Sequence, residues 1–325
     1  MAQVGGAQTS GSEGSPSEGP RPFRFGWGLW GETSRKAWVD KVRRAEDLGF
    51  DIVALADHLI GMNFSFGVGL MAAAEATERV RLSTMVANNG FRHPVMLAKE
   101  AASLDVLSDG RLELGVGAGW WQLEHEQAGM PFEAPAVRIR RLSEAVDILK
   151  ALWTEDDVTY AGEHYQLAGL TLEPKPVQDP HPPISLGGGG RMVLSLAARK
   201  ADIVHLTLRT VPDGADPSDK GAEAFVEKLG WVRQAAGDRI DQIELAVSIG
   251  IVARDERSVA DGRHPSAMRQ LELAKGTPLV LLGGTDEICD QLRYWRDEHG
   301  ITQYSIMNEI DLELFAPVVA KLAGS

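Results

Sequence analysis

The run LDVLSDGRLELGVGAGWWQLE, residues 104–124, decides the fold. Within it RLELGVG reads as a buried strand: a short apolar stretch with glycines at its end that allow a sharp exit. Upstream, a helix starts near His93-Pro94 and carries Leu97, Ala101 and Leu104 on one face. A helix therefore feeds a strand. The same alternation extends in both directions. FRFGWGL (23–29), DIVALA (51–56) and RVRLSTMVA (79–87) precede it as strands. PISLGG (183–188), DIVHLTL (202–208), ELAVSIGIV (244–252) and YSIMNE (304–309) follow. Helices separate them, one capped by Thr33 or Ser34, carrying Trp38, Val42 and Ala45, and stopped by Gly49. Another presents Leu142, Val146 and Leu149. Alternating strand and helix gives an α/β fold, and eight such units predict a closed (β/α)₈ TIM barrel with insertions. A doubly wound open sheet is the rival, and it needs a clearer switch point.

The insertions are legible too. VTYAGEHYQL (158–167) reads as a hairpin turning at Gly162, and residues 212–220 as a Pro- and Asp-rich loop. Residues 1–20, rich in Gly, Ser, Pro and Glu, bury too little to offset ordering entropy and are expected to be a disordered tail. Residues 21–325 are expected to form one barrel domain.

The chain of 325 residues is 44% hydrophobic and 24% charged, which are globular values. A net charge of −13 argues against nucleic acid or an anionic membrane as partner, since phosphate neutralisation needs clustered Lys and Arg. The single cysteine, Cys289, excludes an internal disulfide and a cysteine-based metal cluster, and reads as a small core residue. No secretory leader or membrane-spanning run is visible, so a cytoplasmic protein is expected.

In a barrel of this kind function sits at the carboxyl ends of the strands. Asp57-His58 follows the second strand. A histidine there can move a proton near neutrality, with a carboxylate fixing its tautomer; equally, Asp57 could simply cap a helix beside a loop histidine. Gly187, Gly188, Gly189 and Gly190 precede a helix carrying Val193, Leu196 and Ala197. Their N–H groups and Arg191 form a candidate phosphate cradle, against the alternative of a flexible turn. Trp120 and Trp121 either wall a pocket for a planar ring or pack an insertion over the barrel. The scattered histidines, among them His93, His125, His164 and His181, show no HxH or HExxH spacing, so no metal is expected. No GxSxG elbow is present, and Glu309 is a strand-end acid without an obvious mate.

Taken in order, LADH (55–58), RVRLSTMVANNGFRHP (79–94), LDVLSDGRLELGVGAGWWQLE (104–124), PISLGGGGRM (183–192), GTDEICDQL (284–292) and GITQYSI (300–306) resemble the luciferase-like monooxygenase superfamily. The branch they resemble uses coenzyme F-420. The resemblance implies a deazaflavin ring in the barrel mouth in contact with Asp57, with His58 as proton donor or base. It implies a bulge under the ring at Met85-Val86, of a kind that sometimes holds a non-proline cis bond. It places the coenzyme phosphate on the turn from Gly187 to Arg191, and Trp30, Asn88 and Trp120 on the substrate side. A homodimer acting on a small molecule is implied as well. Two departures qualify this. Sugar-phosphate dehydrogenases of the branch carry an acid where Trp120 stands, which points to a more apolar substrate, and Leu59 replaces a common aromatic. The activity implied is hydride transfer at the deazaflavin C5. An FMN-dependent monooxygenase on the same barrel and a non-catalytic deazaflavin carrier are the alternatives.

Overall fold

The computed structural model describes residues 19–61, 64–211, 214–260 and 266–325. Of the expected N-terminal tail, residues 1–18 lie outside the described residues.

The barrel strands are β1 (Arg24–Gly28), β2 (Ile52–Leu55), β3 (Arg81–Thr84), β4 (Leu112–Gly117), β5 (Ile184–Gly188), β6 (Ile203–Leu206), β7 (Glu244–Ile249) and β8 (Ile301–Ile306). Each pairs in parallel with its neighbours, and β1 lies between β2 and β8. The pairing of Leu82 with Leu112 and Ser83 with Glu113 joins β3 to β4. That pairing closes the ring and rules out the open doubly wound sheet.

The helices form for the reasons the sequence gives. In α1 (Arg35–Asp47) the Ser34 hydroxyl accepts from the Ala37 N–H at 3.2 Å, and Trp38, Val42 and Ala45 are buried. Gly49 ends the turn at φ +84°, a left-handed value that glycine adopts without a Cβ penalty. α2 (Phe66–Ala76) follows β2. α3 (Pro94–Leu107) starts with Pro94 in its first turn and His93 as its cap. α4 (Pro135–Thr154) buries Leu142, Val146 and Leu149. α5 (Arg191–Lys200), α6 (Gly221–Ala236), α7 (Thr285–His299) and α8 (Leu312–Leu322) complete the outer layer.

Four sequence readings need adjustment. The eighth strand begins at Ile301, not Tyr304, because Gly300 (φ +77°) stops α7 directly before it. The seventh run divides: after Gly250, residues Ile251–Ala253 leave the barrel and pair with Val280–Leu282. The third run divides after Thr84, and Ala87–Asn88 pairs with the end of β4 instead. The Pro- and Asp-rich loop is anchored at a small antiparallel pair, Thr210–Val211 with Gly214–Ala215; residues 212 and 213 lie outside the described ones. The hairpin around Gly162 is present, Val158–Ala161 pairing with Gln166–Leu170.

The interior differs between its two ends. At the amino-terminal end, Arg24 of β1 bridges Glu113 of β4 and Glu244 of β7, and Arg81 of β3 also reaches Glu113. Burial pushes the Glu244 carboxyl upward while Arg24 opposes it. This ionic layer plugs the base. Toward the carboxyl end the strands carry glycines, and that end is left for a site.

Candidate active site

Asp57 and His58 leave β2 together but serve different partners. Asp57 is 8% exposed. Its carboxylate accepts the Asn88 N–H at 2.9 Å and pairs with the Arg92 guanidinium at 3.0 Å. It thus ties the end of β2 to the segment after β3. His58 instead meets Glu124, its Nδ1 lying 2.9 Å from Glu124 Oε2. Glu124 is fully buried as a side chain, and its other oxygen accepts the N–H groups of Leu59 (2.9 Å) and Ile60 (3.1 Å). The carboxylate in hydrogen-bond contact with His58 is therefore Glu124 rather than Asp57. Glu124 comes from Gln122–Gln127, a short helix in the β4–α4 connection.

Trp120 and Trp121 stack on each other at 5.7 Å and 9°, and both meet the His58 ring edge-on at 5.9 and 5.7 Å. Trp120 is exposed, as is Leu59. The two tryptophans pack on each other and set apolar surface against the His58 ring.

Met85-Val86 is joined by a cis peptide bond, at the position the resemblance indicated. A Cβ added to Gly117 would fall 2.4 Å from Val86 Cγ2, and one added to Gly115 would fall 2.1 Å from the Thr84 carbonyl oxygen. The glycines of β4 therefore make room for the Thr84 backbone and the Val86 side chain. Asn88 turns inward: its Oδ1 accepts the Gly90 N–H at 2.9 Å, and it crowds Gly119. Trp30 packs with Met307 over Gly28 at the end of β1, and its carbonyl accepts from Lys41.

The four glycines before α5 are not equivalent. A Cβ on Gly187 would meet the His205 carbonyl oxygen at 2.5 Å, and one on Gly189 the Arg209 nitrogen at 2.2 Å, so both are demanded by packing. Gly188 faces the Val193 side chain. Gly190 has open space where its Cβ would be and caps α5 without a side-chain bond. The first-turn N–H groups of α5 are thus approachable, with the positive end of the helix dipole behind them. Arg191 is exposed and its guanidinium donates to Gln234 of α6 at 3.2 Å. Beside this turn lies a cavity of about 230 Å³ lined by Gly189, Arg209, Ser218, Lys228 and Trp231 among others. Lys228 and Asp219 form a buried ion pair on its wall, Lys228 also donating to the Thr207 carbonyl at 2.9 Å.

Sequence reasoning assigned no role to Glu124, Arg92, His205 or Ser248. His205, on β6, sits with its Nε2 3.1 Å from Ser248 Oγ of β7, and that hydroxyl lies 3.5 Å from Met85 Sδ. Burial brings the His205 imidazole down to about 4, so it is neutral at pH 7. Its place in DIVHLTL, in step with Ile203 and Thr207, was the available signal for an inward-facing histidine. Glu124 offered none, because its partners lie 64 to 66 residues away. Elsewhere, Glu144, Glu163 and His164 come together at the hairpin turn, where the Glu144 carboxylate accepts the N–H groups of residues 163–165. Among the described residues no helix is long and apolar enough to cross a membrane.

A closed (β/α)₈ barrel with a histidine–carboxylate pair, an apolar wall and a glycine turn at its carboxyl-terminal mouth defines a barrel protein of the luciferase-like type. The chain belongs to the luciferase-like monooxygenase family, whose model matches residues 22–279. It is similar to an F-420-dependent glucose-6-phosphate dehydrogenase of Intrasporangium calvum, 33% identical over 217 residues, covering 64% of this chain and 61% of the relative. A protein of the same name from Segniliparus rotundus is 32% identical over 315 residues, covering 85% of this chain and 89% of that one. The chain thus spans less than two thirds of the first relative and most of the second. In fold it resembles the coenzyme F-420-dependent tetrahydromethanopterin reductase of Methanopyrus kandleri, with a TM-score of 0.73, 19% identity, and coverage of 93% and 99%.

Proposed function

We propose that this protein is a coenzyme F-420-dependent oxidoreductase acting on a small, fairly apolar alcohol or carbonyl compound, with His58 handling the substrate proton. The observation that carries this reading is the His58–Glu124 pair set against the exposed Trp120 at the mouth. The two dehydrogenase relatives support the cofactor.

The residues fit a deazaflavin coenzyme. Gly190 leaves open the space through which a phosphate reaches the first-turn amides of α5, and Gly187 to Arg191 would hold it. The bulge at Met85-Val86, with Asp57 beneath Asn88, would take the ring. When bound, the coenzyme supplies hydride transfer at C5. His58 then gives or takes the proton at the substrate oxygen, and the Trp120 and Trp121 faces exclude water from it. Trp120 offers no charge for a sugar hydroxyl or phosphate, which favours an apolar substrate over glucose 6-phosphate. The same geometry and the family's monooxygenase members leave FMN as the second reading.

The experiment is a fluorescence titration of the purified protein with coenzyme F-420 and, separately, with FMN. Micromolar or tighter binding of the deazaflavin alone is expected. Preferential binding of FMN moves the assignment to a monooxygenase and makes oxygen consumption the next assay.

A further inference from the structure

The two oxygens of Glu124 receive three donors' worth of geometry: Leu59 N–H and Ile60 N–H on Oε1, and the His58 ring on Oε2. An ionised carboxylate only accepts, so the His58 atom facing it must be the one carrying hydrogen. That atom is Nδ1, and the ring's lone pair is left on Nε2. The carboxylate has no exposed surface, so water does not compete for it, and its two backbone contacts fix its orientation independently of the histidine. The stacked pair of Trp120 and Trp121 meets the ring at 78° and 70° and packs against it from one side.

We propose that Glu124 is a positioning residue that holds His58 as the Nδ1–H tautomer, presenting Nε2 as a proton acceptor. This rests on the proposed role of His58 and adds a preferred resting state to it. In alcohol oxidation the substrate O–H proton would pass to Nε2, and the bound coenzyme would supply the acceptor for the hydride, electron pair and hydrogen together, from the adjacent C–H bond. Glu124 takes no proton in this step. It stabilises the imidazolium that forms.

The near-isosteric Glu124→Gln tests this with a sign reversal rather than a simple loss. A glutamine has one acceptor oxygen, and the two N–H groups of Leu59 and Ile60 claim it. Its NH₂ group then faces Nδ1 as a donor, so Nδ1 must be bare and the proton moves to Nε2. The substitution thus turns the acceptor at Nε2 into a donor while leaving the packing intact. In the hydrolase triad, an amide in place of the orienting carboxylate imposes the wrong tautomer in the same way and lowers kcat roughly 10⁴-fold.

The readout is the ¹⁵N NMR signature of the His58 ring in the cofactor-free protein above pH 8, with His58→Gln identifying its resonances. In the wild type, Nδ1–H is expected to dominate roughly tenfold or more over Nε2–H. In Glu124→Gln the preference is expected to reverse. A wild-type ring protonated on Nε2 overturns the proposal without any variant, and retention of Nδ1–H in a folded Glu124→Gln overturns it as well. Because no coenzyme is present, failure of coenzyme F-420 to bind would sink the functional reading separately and leave this result standing.

Discussion

Replacing His205 with leucine should remove part of the protein's sensitivity to acid. The imidazole is 8% exposed, and burial lowers its pKa to about 4 from the usual 6.5. A histidine with a lowered folded pKa binds fewer protons folded than unfolded, so stability is lost as pH falls through 6.5 and the loss is complete below 4. The full difference is roughly 3 kcal/mol, at about 1.4 kcal/mol per pKa unit. Between pH 7 and pH 5 the linkage relation gives roughly 2 kcal/mol of it. Other titrating groups change over the same interval, so the quantity to compare is the pH 7 minus pH 5 stability of the wild type against that of His205→Leu. Urea unfolding at both pH values supplies it, and the variant's own loss of the Ser248 contact cancels. The wild type should lose roughly 2 kcal/mol more than the variant. Equal losses would show that His205 titrates normally, and the buried, neutral assignment would be wrong.

Three further outcomes are expected. His58→Ala should lower turnover by roughly 10²–10⁴-fold with coenzyme affinity nearly kept; unchanged turnover removes His58 from the chemistry. Gly190→Asp should leave the fold intact or a few tenths of a kcal/mol more stable, since aspartate caps helices well and nothing crowds the site. Its carboxylate would occupy the α5 amides, so coenzyme affinity should fall at least about tenfold in the fluorescence titration; retained affinity would place the phosphate elsewhere. Lys228→Met leaves the buried Asp219 carboxylate without its cation, with the Arg209 N–H still donating to it, and should cost roughly 3 kcal/mol in urea unfolding. A loss below about 1 kcal/mol would mean that water reaches the pair.

The barrel was legible because hydrophobic period and turn residues are local signals. Ser34, Gly49 and Pro94 mark helix ends within a few positions of where they act. Strand ends were less legible. Gly250 does not look different from any strand-end glycine, and only the pairing with Val280–Leu282 reveals that the chain leaves the barrel there. The site divided along the same line. Asp57, His58 and the glycine turn stood out as candidates because each abuts a recognisable strand. Contacts between distant residues did not: Glu124 meets His58 across the mouth, and Ser248 meets His205 across neighbouring strands. The glycine run was read in sequence as a phosphate cradle or a flexible turn of one kind throughout, yet two of its members answer to packing and one to open space.

The contact of Val86 with the β4 glycines has a consequence for how this protein can vary. Val86 occupies the volume that Gly117 gives up, so residues about thirty positions apart share one allotment of space. A methyl group gained at position 117 must be surrendered at position 86, whereas position 115 is held to glycine by the Thr84 backbone whatever stands at 86. Neither position is then free to drift by itself. Remodelling of the floor toward a bulkier or slimmer ligand would have to proceed through paired exchanges, while the rim at Leu59 and Trp120, which is exposed, can change one residue at a time.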